Sequence, residues 1–247
     1  MAIEADEMKG IVLVTGASGG IGEATAEALV ADGWQVIATA RRAERLEDLG
    51  RRLGDACHPF ALDVTDPKAT ATLVERLPEP LREVDVLINN AGIDLGGRAR
   101  FDDGDIEDWA ATVETNITGV MRVIAAVVPG MLARGQGHIV NIGSSSGVTT
   151  FADDAAYIAS KWGLRGLSGA LRADYLGKGI RVSEIQPGMT RTGFAAARWR
   201  GDQERADALY DSYPELLVAE DLARCIVFAV NQPKNANIAE MLVVPSA

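Results

Sequence analysis

Cysteine and histidine are scarce in this chain of 247 residues, and positive charge is in deficit. The chain contains 2 cysteines, 2 histidines and 24 lysines plus arginines against 35 aspartates plus glutamates, for a formal net charge of −11. Cys57 and Cys225 provide neither a disulfide framework nor metal-ligand spacing. His58 and His138 each precede an apolar run, which is an ordinary position for the start of a strand. We therefore expect a reduced, cytoplasmic protein without a metal site.

Long apolar runs and blocks of positive charge are also missing. No stretch of eighteen consecutive apolar residues is present, and a membrane-spanning helix needs about that length. Residues 1–7 are acidic and lack the basic-then-apolar order of a signal peptide. Binding to nucleic acid needs a positive footprint, whereas the basic residues here form only small groups such as Arg41 and Arg42. We expect neither a membrane nor a nucleic acid as partner.

Short β-branched runs alternate with helical patterns along the chain. The predicted strands lie near residues 11–14, 36–39, 60–62, 84–88, 138–142, 180–185 and 241–244. The predicted helices begin after the glycine-rich turn at residue 20 and lie near residues 67–77, 105–132, 157–176, 201–213 and 219–230. Alternation of this kind implies right-handed crossovers and a parallel sheet.

The predicted fold class is therefore α/β, a single Rossmann-type doubly wound domain with a seven-stranded parallel sheet and helices on both faces. No linker, repeat or low-complexity segment divides residues 1–247. We predict a cofactor and catalytic core over residues 8–190 and a substrate-loop region over residues 189–214.

A glycine-rich turn, T-G-A-S-G-G-I-G, lies between the first predicted strand and the first predicted helix. A strand, a glycine-rich turn and a helix open a dinucleotide-binding unit. Glycines let the backbone approach a pyrophosphate, whose charge lies at the helix N-terminus. A plain tight turn is the alternative, but the placement between strand and helix favours a nucleotide site.

The end of the second predicted strand bears on which dinucleotide is bound. An acidic residue about twenty residues past the glycines binds the ribose 2′-hydroxyl of NAD, but Ala40, Arg41 and Arg42 stand here. Arg41 would offer bidentate donors to a 2′-phosphate. A solvated helix N-terminus is the plainer alternative, although cations there oppose the helix dipole. The pattern favours NADP over NAD.

Tyr157 and Lys161 are four residues apart, so that in a helix their side chains leave the same face. An ammonium within ~4–6 Å favours the phenolate and lowers a tyrosine pKa from its ordinary value near 10. Such a pair could pass a proton to a carbonyl oxygen or take one from an alcohol. The spacing alone favours a surface lysine lying over an aromatic ring, and only the rest of the chain reverses that preference.

The chain resembles the short-chain dehydrogenases/reductases over essentially its whole length. The segments that carry the resemblance are Thr15-Gly16-x-x-x-Gly20-Ile21-Gly22, Asp63, Asn89-Asn90-Ala91-Gly92, Asn116, Ser144, Tyr157-x-x-x-Lys161 and Pro187-Gly188-x-x-x-Thr192. All of them occur in the family's order and at its spacing. Within the family, the chain is most similar to the NADP-dependent 3-hydroxy acid (serine-type) dehydrogenase-like branch.

The resemblance implies a catalytic set and a cofactor site. Tyr157 would be the acid/base, Lys161 would lower its pKa and hold the nicotinamide ribose, and Ser144 would bind the substrate oxygen. Asn116 would support a water relay to Lys161. The implied cofactor contacts are Gly16, Ser18, Gly20, Ile21, Gly22, Arg41, Arg42, Asp63, Val64, Asn90, Ala91, Gly92, Tyr157, Lys161, Pro187, Gly188, Thr190 and Thr192.

The chain departs from a common family pattern at Gly19, where many NADP-preferring members carry a basic residue. This departure leaves the discrimination between NADP and NAD to Arg41 and Arg42. Members of the family are usually homotetramers built on the helices that here bear Asn116 and Tyr157, so the resemblance also implies a homotetramer.

The substrate pocket should be walled by residues 147–156 and 189–214. The candidate substrate contacts are Asp94, Ser144, Phe151, Asp154, Phe194 and Arg198. Inward-facing arginines would bind a carboxylate, whereas inward-facing aspartates would favour an amine-bearing alcohol. Most loop charges are solvated, and this plainer alternative leaves a neutral aldehyde or ketone open.

The sequence thus predicts an NADP(H)-dependent oxidoreductase that interconverts a small secondary alcohol, a hydroxy acid or related alcohol, and its carbonyl compound by hydride transfer. An amino alcohol and a neutral ketone or aldehyde stay open as substrates. Because a fold does not fix a function, a non-catalytic NADP(H)-sensing protein is the alternative of another class. A sensor needs no proton donor, so Ser144, Tyr157 and Lys161 together favour the enzyme.

Overall fold

The computed structural model of the chain describes residues 8–246. The strands are β1 (Ile11–Thr15), β2 (Gln35–Ala40), β3 (Cys57–Ala61), β4 (Val86–Asn89), β5 (Gly137–Ile142), β6 (Ile180–Pro187), β7 (Thr190–Arg191), β8 (Leu217–Val218) and β9 (Glu240–Val243). The helices are α1 (Gly20–Ala31), α2 (Ala43–Leu53), α3 (Pro67–Ala71), α4 (Leu73–Arg76), α5 (Ile106–Val113), α6 (Val120–Arg134), α7 (Ala155–Asp174), α8 (Phe194–Arg198), α9 (Gln203–Asp211) and α10 (Ala219–Val230).

Seven strands form one sheet in the order β3-β2-β1-β4-β5-β6-β9. Every neighbouring pair in that sheet is parallel, which confirms the predicted α/β fold class. The chain winds outward from β1 in one direction and from β4 in the other. Ligands bind at such a switch point, beyond the carboxyl ends of the strands.

The apolar strands are buried because helices cover both faces of the sheet. Val12 and Val14 of β1 point to one face and pack with Leu29 of α1. Leu13 points to the other face and packs with Val123 of α6. A strand covered on both faces is apolar at consecutive positions rather than at alternate ones.

The predicted helix over residues 105–132 consists of α5, a π-helical turn at Glu114–Gly119, and α6. Together, Ile106–Arg134 are long and apolar enough to cross a membrane by length and composition. Val123, Val127 and Met131, however, are buried against the sheet, which is the packing of a core helix. The π-helical turn contains Asn116, and such turns are frequent at functional sites.

Two predicted elements differ from the structure near the third strand. β3 begins at Cys57 and includes Pro59, which has no N–H to donate. The strand tolerates this proline because β3 is the edge of the sheet. The single helix predicted over residues 67–77 is split into α3 and α4 by Thr72, where the backbone leaves the helical conformation.

The substrate-loop region folds into small elements of its own. α8 was not predicted, and the helix predicted near residues 201–213 is α9, which begins after Asp202 accepts a capping hydrogen bond from the Arg205 N–H. β7 and β8 form a separate two-stranded parallel sheet. Ala195, Ala206 and Tyr210 form a small core beneath this region.

Candidate active site

The glycine-rich turn after β1 lies tightly against the end of β4. Gly16 has φ +68°, and a Cβ on this residue would lie 2.9 Å from the Cα of Ala91. A Cβ on Gly22 would overlap the carbonyl oxygen of Gly16. Asn90 Nδ2 donates to the carbonyl oxygens of Thr15 (2.9 Å) and Gly16 (3.2 Å). The turn therefore requires glycine at both positions, and it leaves the N-terminus of α1 open at Gly20 and Ile21.

Arg42 lies alongside this turn, although it follows β2. Its Nε donates to Ser18 Oγ (3.1 Å) and its Nη2 donates to the carbonyl oxygen of Ser18 (3.0 Å). Arg41 is exposed at the same edge. Backbone N–H groups of a helix N-terminus beside two guanidinium groups suit a phosphate-bearing dinucleotide.

The other predicted cofactor contacts flank the turn. Asp63 follows β3, and its Oδ1 accepts hydrogen bonds from the Thr65 N–H and hydroxyl. Val64 is buried against Gly119 of the π-helical turn. Both lie at the carboxyl edge of the sheet, on the β2–β3 side of the crevice.

The segment after β6 crosses the crevice and reaches the turn. Pro187 ends β6, and the Thr190 hydroxyl donates to the carbonyl oxygen of Gly188 (3.0 Å). Thr192 Cβ lies 3.2 Å from where a Cβ on Gly20 would stand. Tyr210 of α9 fixes Thr192, because its hydroxyl accepts from the Thr192 N–H (3.1 Å) and donates to the Thr192 carbonyl oxygen (2.8 Å). Sequence reasoning missed Tyr210, whose only signal was an isolated tyrosine in a helical pattern.

Tyr157, Lys161 and Ser144 meet where β5 ends. Lys161 Nζ lies 5.6 Å from the centre of the Tyr157 ring and donates to the carbonyl oxygen of Ile142 (2.9 Å). Ser144 is buried in the loop that follows β5, and its hydroxyl is near enough to the Tyr157 phenol to lower the phenol pKa. The structure thus brings a phenol, a hydroxyl and an ammonium to one point.

The Asn116 side chain forms its hydrogen bonds with Ile93 and Ser160 rather than with Lys161. Its Oδ1 accepts from the Ile93 N–H (2.9 Å), while its Nδ2 donates to the Ile93 carbonyl oxygen (2.8 Å) and Ser160 Oγ (3.0 Å). Both Asn116 Oδ1 and Lys161 Nζ lie within 4 Å of where a Cβ on Gly92 would stand. The two groups are therefore neighbours across Gly92, and this geometry suits a relay through water rather than a direct bond.

Burial governs the protonation of the phenol and the ammonium. Removal from water raises the pKa of Tyr157 above its ordinary value, and the neighbouring Ser144 hydroxyl opposes that rise only in part. This direction is opposite to the lowering expected from Lys161. Burial also lowers the pKa of Lys161 to about 8, while Glu184 and Asp94 act in the other direction. In both groups the desolvated charged form is disfavoured.

Three of the candidate substrate residues form one buried charge cluster. Asp94 and Asp154 are each 5% exposed and Arg198 is 6% exposed. Arg198 Nη2 lies 2.5 Å from Asp94 Oδ2 and 3.9 Å from Asp154 Oδ2. The plainer interpretation, that these loop charges are solvated, is wrong for all three.

The two aromatic candidates, Phe194 and Phe151, have different surroundings. The Phe194 ring packs against Tyr157 with 5.9 Å between ring centres. Phe151 is 42% exposed, and the guanidinium of Arg98 lies over its ring at 5.3 Å. Phe194 therefore lies beside the phenol, whereas Phe151 lies at the surface.

The residues after Arg198 dock the substrate-loop region onto the segment after β4. Trp199 occupies the space beside Gly97, where a Cβ would overlap its indole ring. Arg200 is exposed and pairs with Asp108 at 2.7 Å. Sequence reasoning missed Gly97 and Asp108, since nothing in their local pattern marks them as contacts.

Within residues 8–246, no three His, Cys, Asp or Glu side chains are grouped so that they could hold a metal ion.

The model of the short chain dehydrogenase family matches residues 10–203. The chain belongs to this family. The resemblance found in the sequence is thereby confirmed.

Individual relatives are similar to the chain over almost its whole length. It is 41% identical over 238 residues to serine 3-dehydrogenase of Rhizobium radiobacter, covering 96% of the chain and 94% of the relative. It is 39% identical over 236 residues to the NADP-dependent 3-hydroxy acid dehydrogenase of Salmonella typhi, covering 95% and 94%. The closed form of a serine dehydrogenase complexed with NADP⁺ superposes with a TM-score of 0.91 at 37% identity, covering 94% of each chain. This short-chain dehydrogenase thus has relatives that use NADP, in agreement with the preference for NADP over NAD.

Proposed function

We propose that the protein is an NADP(H)-dependent oxidoreductase that interconverts a small hydroxy acid, or a related alcohol, and its carbonyl compound, with Tyr157 as the acid/base. The observation that carries this proposal is the meeting of Tyr157, Ser144 and Lys161 at the carboxyl end of β5. The relatives are named as dehydrogenases of serine and of 3-hydroxy acids, which supports the same chemistry.

The residues present fit the cofactor. The open N-terminus of α1 and the guanidinium groups of Arg41 and Arg42 would hold its phosphates, and Arg42 is already positioned by Ser18. Lys161 would hold the nicotinamide ribose. NADPH, when bound, supplies a hydride to a carbonyl carbon, and NADP⁺ accepts one from an alcohol.

The chain's own residues would handle the proton and the charge on the substrate oxygen. Because burial raises the pKa of Tyr157, the phenol keeps its proton at neutral pH and can give it to an oxygen that gains negative charge. The Ser144 hydroxyl would donate a second hydrogen bond to that oxygen. Donors aimed at the site where charge develops stabilise the transition state more than the ground state.

A substrate panel tests the proposal directly. Purified protein with NADPH is given keto acids, amino ketones and neutral ketones, and consumption of NADPH is followed by absorbance. We expect turnover with at least one class. Tight binding of NADPH without turnover of any panel member would contradict an enzymatic function and support the NADP(H)-sensing alternative.

We further propose that the chain is one domain that assembles as a homotetramer and acts in the cytoplasm. Apolar side chains are exposed on the helices expected to form the interfaces, among them Met121 and Leu132 of α6 and Trp162 of α7. Burying such side chains between subunits is favourable. Sedimentation equilibrium would reveal the assembly, and a monomer at micromolar concentration would contradict it.

A further inference from the structure

The buried cluster of Asp94, Asp154 and Arg198 is built from three separate elements around Tyr157. Asp94 follows β4, Asp154 immediately precedes α7 and lies three residues before Tyr157, and Arg198 ends α8. Phe194 and Arg198 are four residues apart on α8, so they share a face, and Phe194 packs against Tyr157. The cluster therefore lies next to the phenol, on the side where the substrate-loop region closes.

Arg198 has hydrogen-bonding capacity that the protein does not use. Among the residues that the structure describes, its buried Nε and Nη1 have no hydrogen-bond partner. Its Nη2 is close to Asp94, which balances the guanidinium charge. Buried N–H groups are nearly always paired, so two free donors on one buried guanidinium indicate that an acceptor from a ligand completes the site.

The cluster also contains one more carboxylate than guanidinium groups, and Asp154 provides that extra carboxylate. The cluster holds two carboxylates and one guanidinium, and Asp94 is the one in close contact with Arg198. Asp154 stands at the N-cap of α7, where an aspartate usually accepts a hydrogen bond from the helix, yet its side chain makes no capping hydrogen bond. Arg98, which is exposed, also acts on Asp94 and Asp154. The carboxylate of Asp154 is therefore available to a cation.

We propose that Arg198 and Asp154 form a subsite for a zwitterionic substrate, a 2-amino-3-hydroxy acid whose carboxylate accepts from Arg198 and whose ammonium donates to Asp154. The hydroxyl carbon of such a molecule lies one bond from the carbon that bears the amine, which leaves the hydroxyl free to reach Tyr157 and Ser144. A 3-hydroxy acid without the amine would still pair its carboxylate with Arg198 but would leave the Asp154 carboxylate without a cation. Asp154 is thus the residue that selects for the amine, and this selection rests on the proposed oxidoreductase function.

Three alcohols that differ only in their charged groups test the subsite. Serine carries both groups, 3-hydroxypropanoate lacks the amine, and 2-aminoethanol lacks the carboxylate. We expect kcat/KM with NADP⁺ to be about tenfold or more higher for serine than for either of the others, since each lost charge-assisted hydrogen bond accounts for about that factor. Equal kcat/KM values for serine and 3-hydroxypropanoate would overturn the proposal.

Two variants separate the roles of the charged residues. Asp154→Asn should lower kcat/KM for serine by about tenfold or more and leave that for 3-hydroxypropanoate unchanged or higher. Arg198→Gln should impair both acids and spare 2-aminoethanol. The matched controls are Asp153→Asn and Arg205→Gln, because both residues are exposed neighbours. If Arg198→Gln does not fold, the Asp154→Asn result decides, and equal losses for serine and 3-hydroxypropanoate in that variant would refute the subsite.

Calorimetric binding distinguishes failure of the subsite from failure of the proposed function. The three compounds are titrated into the wild-type protein with and without NADP⁺. If no alcohol is turned over, the proposed function fails, but tighter binding of serine that Asp154→Asn removes would still support the subsite. If an alcohol is turned over while all three compounds bind equally, the function stands and the subsite is refuted.

Discussion

The Arg42 guanidinium occupies the space next to Gly19 of the glycine-rich turn, where a side chain on residue 19 would lie. Nη2 of Arg42 lies 3.3 Å from the point where a Cβ on Gly19 would stand, and it donates to the carbonyl oxygen of Ser18. Many NADP-preferring members of the family place a basic side chain at the position of Gly19. In this chain the positive charge reaches the same space from the end of β2, and the absence of a side chain on Gly19 makes room for it.

Replacing Arg41 and Arg42 together with alanine should weaken NADPH far more than NADH. Both guanidinium groups would contact the 2′-phosphate, which only NADPH carries, and charge-assisted hydrogen bonds of this kind account for about 10- to 100-fold in affinity. Fluorescence titration of both cofactors measures the two dissociation constants. Arg51→Ala is the matched control, since Arg51 is an exposed arginine in the last turn of α2, the helix that follows Arg42. Equal losses for NADPH and NADH would refute a 2′-phosphate contact.

Tyr157→Phe should lower the rate of carbonyl reduction by about 100-fold or more while NADPH still binds. The substitution removes only the hydroxyl that would donate the proton, and general acid catalysis contributes on that scale. Single-turnover rates and cofactor titration separate the two effects. Tyr175→Phe at the end of α7 serves as control and should keep its activity. A Tyr157→Phe protein with near-normal rates would disprove the acid/base role.

Asp154→Asn should stabilise the protein at neutral pH. Burial and the nearby Asp94 raise the pKa of Asp154 to about 6 from an ordinary 3.8, so between those values the folded protein binds more protons than the unfolded chain. Stability therefore falls as pH rises through that window and stays lower above it. Asparagine removes this effect, and Arg198 keeps Asp94 as its partner.

Thermal unfolding at several pH values measures this stabilisation. We expect the midpoint of Asp154→Asn to exceed that of the wild type by about 2 °C or more at neutral pH, with the difference shrinking towards pH 4. A lower midpoint at neutral pH would show that Asp154 serves the fold as an ion-pair partner of Arg198.

The preference for an amine-bearing substrate should weaken as pH falls through about 6. Protonation of Asp154, whose pKa is raised to about 6, removes the charge that would bind the ammonium. Asp94, Arg198 and Arg98 are the other charged groups that act on Asp154. The ratio of kcat/KM for serine to that for 3-hydroxypropanoate, measured from pH 5 to pH 8, reports the ionisation in the free enzyme. A ratio that does not vary with pH would exclude Asp154 as the selecting group.

Gly97→Ala should disturb the substrate pocket more than the cofactor site. A Cβ on Gly97 would overlap the indole of Trp199, the residue next to Arg198, and overpacking typically costs about 1–3 kcal/mol. We expect a higher KM for acid substrates with a nearly unchanged dissociation constant for NADPH. Gly54→Ala is the control, because Gly54 also has a positive φ of +71° but has open space around it. Equal effects of the two substitutions would attribute the change to backbone strain alone.

Much of the fold and of the candidate catalytic site could be predicted because the decisive patterns are local. The glycine-rich turn requires close backbone approach at Gly16 and Gly22, and only glycine allows it. Tyr157 and Lys161 share a helix, so their spacing fixes their relative position. The start of β3 at Cys57 and the split between α3 and α4 escaped prediction because an edge strand tolerates Pro59 and because Thr72 carries no strong helix-breaking signal.

The sequence by itself determined the glycine-rich turn and the alternation of strands and helices that predicts a parallel α/β sheet, since each of these patterns lies in residues that are near one another in the chain. Only the tertiary structure decided which charges are buried. Arg198 and Arg200 are two residues apart and chemically alike, yet Arg198 faces Asp94 inside the protein while Arg200 faces Asp108 at the surface. The tertiary structure also decided that the pKa of Tyr157 is raised rather than lowered, because segments distant in sequence exclude water from the phenol. Burial is a property of the assembled chain, and no local pattern contains it.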